Sequence, residues 1–308
     1  MNLPPVLARS LPWLLGGLIV AALVAAIDPA AVAGALQQAA LGRYIPLAIL
    51  FLLVWYLLET HNLQRVFRRF QVHAPFPELL AVRGYTYLLM IVNYALGVGA
   101  IGLYLRNRRG VPAPRAAGLL LFFMMAELLA LGLLAGAGAT FVQGEARGYA
   151  LVTAGAILGG ALLGVPLIRR LAWRPALARW LEVFAVARIG AWLATIADRS
   201  LYFLTFVLFF YLAMPAFGLQ VPFADLLCLV PLLFIIINLP VTAAGLGTLQ
   251  AGVLLLFAPY GEPATLLAFS VCYSATIIIG RLPLGLWPLA CRRPILRQVT
   301  TTPRGSRS

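Results

Sequence analysis

The chain has no lysine, and its acidic residues are few: 9 Asp and Glu stand against 23 basic residues, every one of them arginine. Charged residues make up only 10% of its 308 positions, while 63% are hydrophobic. A soluble domain carries about 25% charged and about 45–50% apolar residues. One water-soluble core cannot hide so much apolar side chain, so a soluble enzyme, a coiled coil and a disordered chain are excluded. The alternation of apolar and polar residues that a membrane β-barrel needs is missing too, because the apolar runs are long and unbroken. The fold class that remains is all-α, a polytopic helical membrane protein.

Cysteine and histidine are equally scarce. Cys228, Cys272 and Cys291 are odd in number and widely spaced, which makes neither a disulfide framework nor a zinc pattern. They read as small core hydrophobes. His61 and His73 have no companions with ligand spacing, so no metal is expected. No phosphate-binding loop, Ser-His-Asp set or paired carboxylates occur, and no cofactor is expected. The formal charge of +14 would suggest nucleic acid in a soluble protein. Here the arginines fall between apolar runs, so they read as loops that hold orientation and touch anionic lipid, with no nucleic-acid partner.

A spanning helix needs about 20 apolar residues. Leu11–Ile27 resembles a signal peptide but is followed closely by another span, so it is expected to be retained as a first helix, peripheral to the core. Tyr44–Leu58, Ala116–Thr140, Gly148–Ile168, Ser200–Gly218 and Ala264–Leu289 are the other spans, about six in all. Arg169, Arg170, Arg174 and Arg179, with Trp173 and Trp180, suit a helix lying at the membrane surface. Residues 291–308 form a basic tail.

Gly84–Leu105 is apolar but lies between two basic stretches, one ending at Arg83 and the other starting at Arg106. Crossing the membrane once would put one of them outside, against the positive-inside tendency. Gly97, Gly99 and Gly102 weaken a helix there, so a re-entrant hairpin broken near Leu96–Gly102 is expected. Pro222–Ala258 is too long for one crossing, and a helix should break at Leu239–Gly247. Two half-helices dipping in from the outer side bring both termini to the cytoplasmic face of a cell inner membrane. One hairpin then enters from each side, in halves spanning 40–170 and 188–290. That is the layout of an inverted repeat whose broken helices meet at a substrate site.

Backbone groups at such breaks need protein, water or substrate as partners. Asn93, Asn238, Thr242 and Gln250 supply polar side chains there. Gly97, Gly99, Gly245 and Gly247 allow close approach to the backbone. Glu127 lies about 16 Å along its helix, near the bilayer centre. An acid there is either functional or a hydrogen-bonded tie between helices. Arg281 either snorkels to the interface or binds a lipid phosphate. Asp198 and Arg199 read as an interfacial pair, and Asp225 as a helix N-terminal acid.

The segment Asn238-Leu-Pro-Val-Thr-Ala-Ala-Gly-Leu-Gly-Thr-Leu-Gln250 resembles the signature of the lysylphosphatidylglycerol synthase transmembrane region, the flippase-like membrane proteins. That family reads Pro-x-Ser-x-x-Gly-x-Gly-x-Arg-Glu, and Pro240, Gly245 and Gly247 match, with Thr242 in place of Ser. Asn93 with Arg106 resembles the family's first break, Glu127 stands where it often has Glu-Arg, and Arg281 resembles an Arg followed by an exit Pro. Leu249 and Gln250 depart from Arg-Glu, Leu128 replaces the second Arg, and the first break lacks its usual Pro, Arg and acid. The resemblance, over about residues 40–290, implies translocation of a phospholipid or polyprenyl-linked lipid between leaflets. In that mechanism Asn93, Asn238 and Arg281 meet the headgroup, and Glu127 pairs with Arg281 when none is bound. Without the cytosolic aminoacyl-transfer domain of some relatives, no enzyme activity is expected. The alternative is a non-transporting partner of a lipid-modifying or glycosyltransferase enzyme, which the charge-poor breaks favour.

Overall fold

The computed structural model describes residues 5–92, 94–172, 174–238 and 246–290. Among these the chain is all helical. Five helices are long and apolar enough to cross a membrane: α3 (Leu41–Arg69), α6 (Ala113–Gly138), α7 (Glu145–Leu171), α9 (Ile189–Ala213, continued by a 3₁₀ turn to Phe217) and α12 (Pro263–Ala290). A sixth span arises if α1 (Pro5–Ile27) and α2 (Pro29–Gln38) are counted as one, although they meet at 93°. Asp28 makes that corner. Its φ is +92°, and its carboxylate accepts the Ala30 N–H at 2.9 Å, with Pro29 opening α2. An acid cap followed by proline is a helix start, so the chain turns here instead of running straight on.

Six shorter helices complete the set with α1: α2, α4 (Phe76–Val92), α5 (Tyr94–Arg109), α8 (Pro175–Val186), α10 (Phe223–Ile237) and α11 (Thr248–Leu256). Two pairs of them fold back as hairpins. In the first, a side chain at Gly97 of α5 would strike Met90 and the Thr86 carbonyl of α4, so the helices lie in close antiparallel contact. In the second, Gly252 of α11 lies against Leu233 and Ile236 of α10. The reversal in the first hairpin differs from the expected place. Helix α5 runs unbroken from Tyr94 to Arg109, so Gly97, Gly99 and Gly102 are inside it. Glycine weakens a helix, but here the missing side chain at Gly97 is what lets α5 pack on α4. In the second, α10 ends at Ile237 and α11 begins at Thr248, and of the expected break at Leu239–Gly247 the residues 239–245 lie outside the described residues.

The chain divides into two compact units, neither a continuous stretch. Unit 1 holds residues 1–55, 125–164 and 196–280. Its core is aromatic: Phe51, Trp55, Tyr202, Phe206, Phe209 and Phe210 from α3 and α9 are all buried. Phe51 stacks on Phe209 with centroids 4.2 Å apart, and Phe206 meets Phe234 of α10 edge-on at 4.6 Å. In lipid, helices gain nothing from leaving water, so close contact of this kind has to hold them. Helix α7 shows the other solution. Its apolar window is almost wholly exposed, and its contact with α6 is a seam of small residues, with Gly136 against Ala154 and Gly132 against Ile157. Unit 2 holds residues 56–124, 165–195 and 281–308. It contains the α4–α5 hairpin and α8, a separate twelve-residue helix whose Leu177, Trp180 and Val186 are exposed.

Both hairpins are tied at their open ends by an acid in the first turn of the leading helix. Glu78 of α4 accepts from Arg109 in the last turn of α5. Asp225 of α10 accepts from the Tyr260 hydroxyl, just beyond α11, at 2.8 Å.

Candidate functional site

Charged side chains inside apolar helices need partners, and each unit gathers some. In unit 1, Glu127 of α6 accepts from Arg199 of α9 at 2.6 Å. The Arg199 side chain is 1% exposed and that of Glu127 20%. The guanidinium lies 3.8 Å above the Tyr202 ring and within 5.1 Å of Phe203. The Tyr202 hydroxyl in turn accepts the Trp55 indole N–H at 2.5 Å. Arg199 is thus held by a carboxylate and a ring face, as a planar delocalised cation allows. This corrects two expectations. Arg199 is no interfacial residue, and the partner of Glu127 is Arg199, where Arg281 was expected. The spacing of charges along the sequence cannot show this, because Glu127 and Arg199 are 72 residues apart.

The second polar group of unit 1 lies at the start of α11. Gly247, with φ +86°, precedes the helix, and the fully buried Gln250 reaches back to accept its N–H at 2.7 Å. The Gln250 amide nitrogen donates to Ser274 Oγ at 2.8 Å. A residue at the third helical position reaching back to the cap is a capping box, and glutamine does it without a charge. Gln250 therefore spends both ends of its amide on the fold. Asn238 caps α10 and is exposed. Asn93, Pro240, Thr242 and Gly245 lie outside the described residues. Gly97 is buried against α4, while Gly99 opens onto space with nothing within 4 Å.

Unit 2 holds a cluster that sequence reading passed over. Glu59 of α3 and Arg83 of α4 are both 7% exposed. Arg83 donates to one carboxylate oxygen of Glu59, and the Tyr87 hydroxyl donates to the other at 2.5 Å. Arg83 lies over the Tyr87 ring at 5.1 Å, and the half-buried Arg281 of α12 approaches the same ring at 5.7 Å. The cluster thus brings one carboxylate together with two guanidiniums, a net positive charge among the described residues. The one legible trace of it was Arg83 and Tyr87, four positions apart on one helical face. Arg83 instead counted as a loop arginine, and Glu59 sat at the edge of a span.

Two glycines bring α12 to α4. A side chain at Gly84 would lie 2.6 Å from the Leu284 carbonyl, and one at Gly285 would lie 3.0 Å from the Gly84 carbonyl and closer still to Leu88. Gly84→Ala has to push α12 away, at a cost of about 1–3 kcal/mol. The expected result is a lower melting temperature in detergent. An unchanged melting temperature would show that this helix contact is looser than drawn.

A family model described as Lysylphosphatidylglycerol synthase TM region matches residues 13–285. The chain belongs to this family. No curated protein matches it. Membership gives a membrane protein with a lipid-related role, and the match covers the residues of both polar clusters, Glu59, Arg83, Glu127, Arg199 and Arg281. Where the family resemblance had Arg-Glu, Leu249 and Gln250 stand, and Gln250 caps the start of α11.

Proposed function

We propose that the protein translocates a phosphate-bearing lipid headgroup between leaflets, with the net positive Glu59–Arg83–Tyr87–Arg281 cluster as the place the phosphate meets. Glu59 accepts from Arg83 and Tyr87, and Arg281, the more exposed of the two arginines, lies over the same Tyr87 ring. A guanidinium suits a phosphate because its donors can bond two oxygens at once. The protein itself makes no bond; it is a carrier and no enzyme. The acid-tied hairpins α4–α5 and α10–α11 support an inverted repeat with one re-entrant element in each half, and the arginine-rich helix ends support a cytoplasmic placement of that side in a cell membrane.

The test is transport by the purified full-length chain in liposomes, with fluorescent phosphatidylglycerol and an impermeant quencher. Arg281→Gln should slow scrambling at least about tenfold, the worth of a charge-assisted hydrogen bond, with folded yield kept. Arg281→Lys should fall between, since it keeps charge and loses the fork. No movement of anionic, zwitterionic or polyprenyl-phosphate lipid would reject the reading.

The internal use of Gln250 favours a second reading. If the second hairpin offers nothing to a substrate, the protein is a membrane partner that holds a lipid-modifying or glycosyltransferase enzyme. Copurification with one such enzyme at a fixed ratio, together with no scrambling, would select it.

A further inference from the structure

The arginine-rich helix ends of unit 2 enclose a pocket of about 730 Å³ that takes no part in the cluster above. Arg69, Arg115 and Arg188 line it with a single acid, Glu182. They come from the end of α3, the first turn of α6, the start of α9 and helix α8. Two of the arginines are positioned by the fold. Arg69 donates to Thr195 Oγ1 at 3.0 Å, and Thr195 is itself buried and bonded to the Ala191 carbonyl. Arg115 donates to the Phe70 carbonyl at 3.2 Å. Its ion pair with Glu182 is long, 3.7 Å, and both side chains are a third or more exposed. Such a pair holds weakly and yields readily to a better anion. Arg188 is exposed.

The rim beside these charges is apolar. Val186 lines the pocket and is 58% exposed, and Ile189, next to Arg188, is 76% exposed. Trp180 and Leu177 of α8 are exposed as well. Exposed aliphatics next to arginines, as Val186 and Ile189 are here, mark the level of lipid headgroups. A soluble anion would use the guanidiniums and leave the apolar rim in water.

We infer that this pocket is a binding site for an anionic phospholipid, its phosphate between Arg115 and Arg188 and its acyl chains along Val186 and Ile189. The site stands apart from transport, since a protein that moves no lipid would still hold one here. The probe is short-chain phosphatidylglycerol titrated into the detergent-solubilised full-length chain and followed by tryptophan fluorescence. Parallel titrations use short-chain phosphatidylcholine and glycerol phosphate. Phosphatidylglycerol should bind saturably and the other two at least tenfold more weakly. Arg115→Gln with Arg188→Gln should raise the dissociation constant about thirtyfold, two arginines at about 1 kcal/mol each. If the double variant folds poorly, Arg188→Gln alone is read, because its side chain is exposed. Glu182→Gln should tighten binding by removing the competing anion, a gain that no folding defect produces. Equal binding of glycerol phosphate would make this a free-anion site and overturn the lipid assignment. An unchanged constant in the arginine variants, or no saturable binding, would overturn the site itself. Scrambling measured on the same variants separates this outcome from the transport reading.

Discussion

Glu127→Ala will cost more stability than Arg199→Met, although the two substitutions break the same ion pair. Arg199 is 1% exposed and lies 2.6 Å from the carboxylate. Removing Glu127 takes a bonded carboxylate away from a buried guanidinium that cannot give up its charge. Removing one partner of a buried pair costs about 3–5 kcal/mol. Arg199→Met leaves instead a carboxylate that is one-fifth exposed and gains an apolar neighbour for Tyr202 and Phe203. The double variant Glu127→Ala with Arg199→Met should therefore unfold at a higher temperature than Glu127→Ala alone. Thermal unfolding in one detergent gives the order directly. If Glu127→Ala is the mildest of the three, Glu127 is not what neutralises Arg199, and the pair is accidental.

The helices themselves could be read from the sequence, because twenty apolar residues in a row have one use in a membrane. Five spans follow from apolar length, with the first helix one arm of a bent pair, and the separate helix at Pro175–Val186 follows from the arginines and tryptophans around it. The partners of the charges could not. Glu59 and Arg83 are 24 residues apart, and Glu127 and Arg199 are 72 apart. Charge partnership across helices is set by which faces meet, and no local pattern records that. The glycines misled for a related reason. In Gly97–Gly102 they read as a weakness of the helix, whereas Gly97 supplies the space for a neighbouring helix. Glycine does both things in membranes, and only the neighbour tells which. The break residues Asn238 and Gln250 were read as polar groups for a substrate; Asn238 stands exposed at the end of α10, while Gln250 spends its amide on the start of α11 and on Ser274. The arginine clusters read as orientation signals also enclose a pocket, because charges placed on one side of a membrane are placed near one another.

The largest loss of all is expected at Glu59. It accepts from Arg83 and from Tyr87, and a second guanidinium, Arg281, lies over the same ring. Glu59→Ala thus removes the carboxylate that Arg83 and Tyr87 share, beside two guanidiniums that lie over one ring. The cost should reach the upper part of the about 3–5 kcal/mol range for a broken buried pair. Arg83→Met should cost less, because Tyr87 continues to hold the carboxylate. Tyr87→Phe should cost least, about 1.5–3 kcal/mol, the worth of one hydrogen bond to a charged group. Adding Arg83→Met to Glu59→Ala should return part of the loss, since it removes the more deeply buried of the two cations. The order Glu59→Ala, Arg83→Met, Tyr87→Phe, read from melting temperatures in detergent, is thus fixed by charge count alone. A reversed order, with Arg83→Met the most damaging, would mean that the cluster is not cationic in excess. The proposal that Arg281 meets a phosphate would then lose the observation on which it stands.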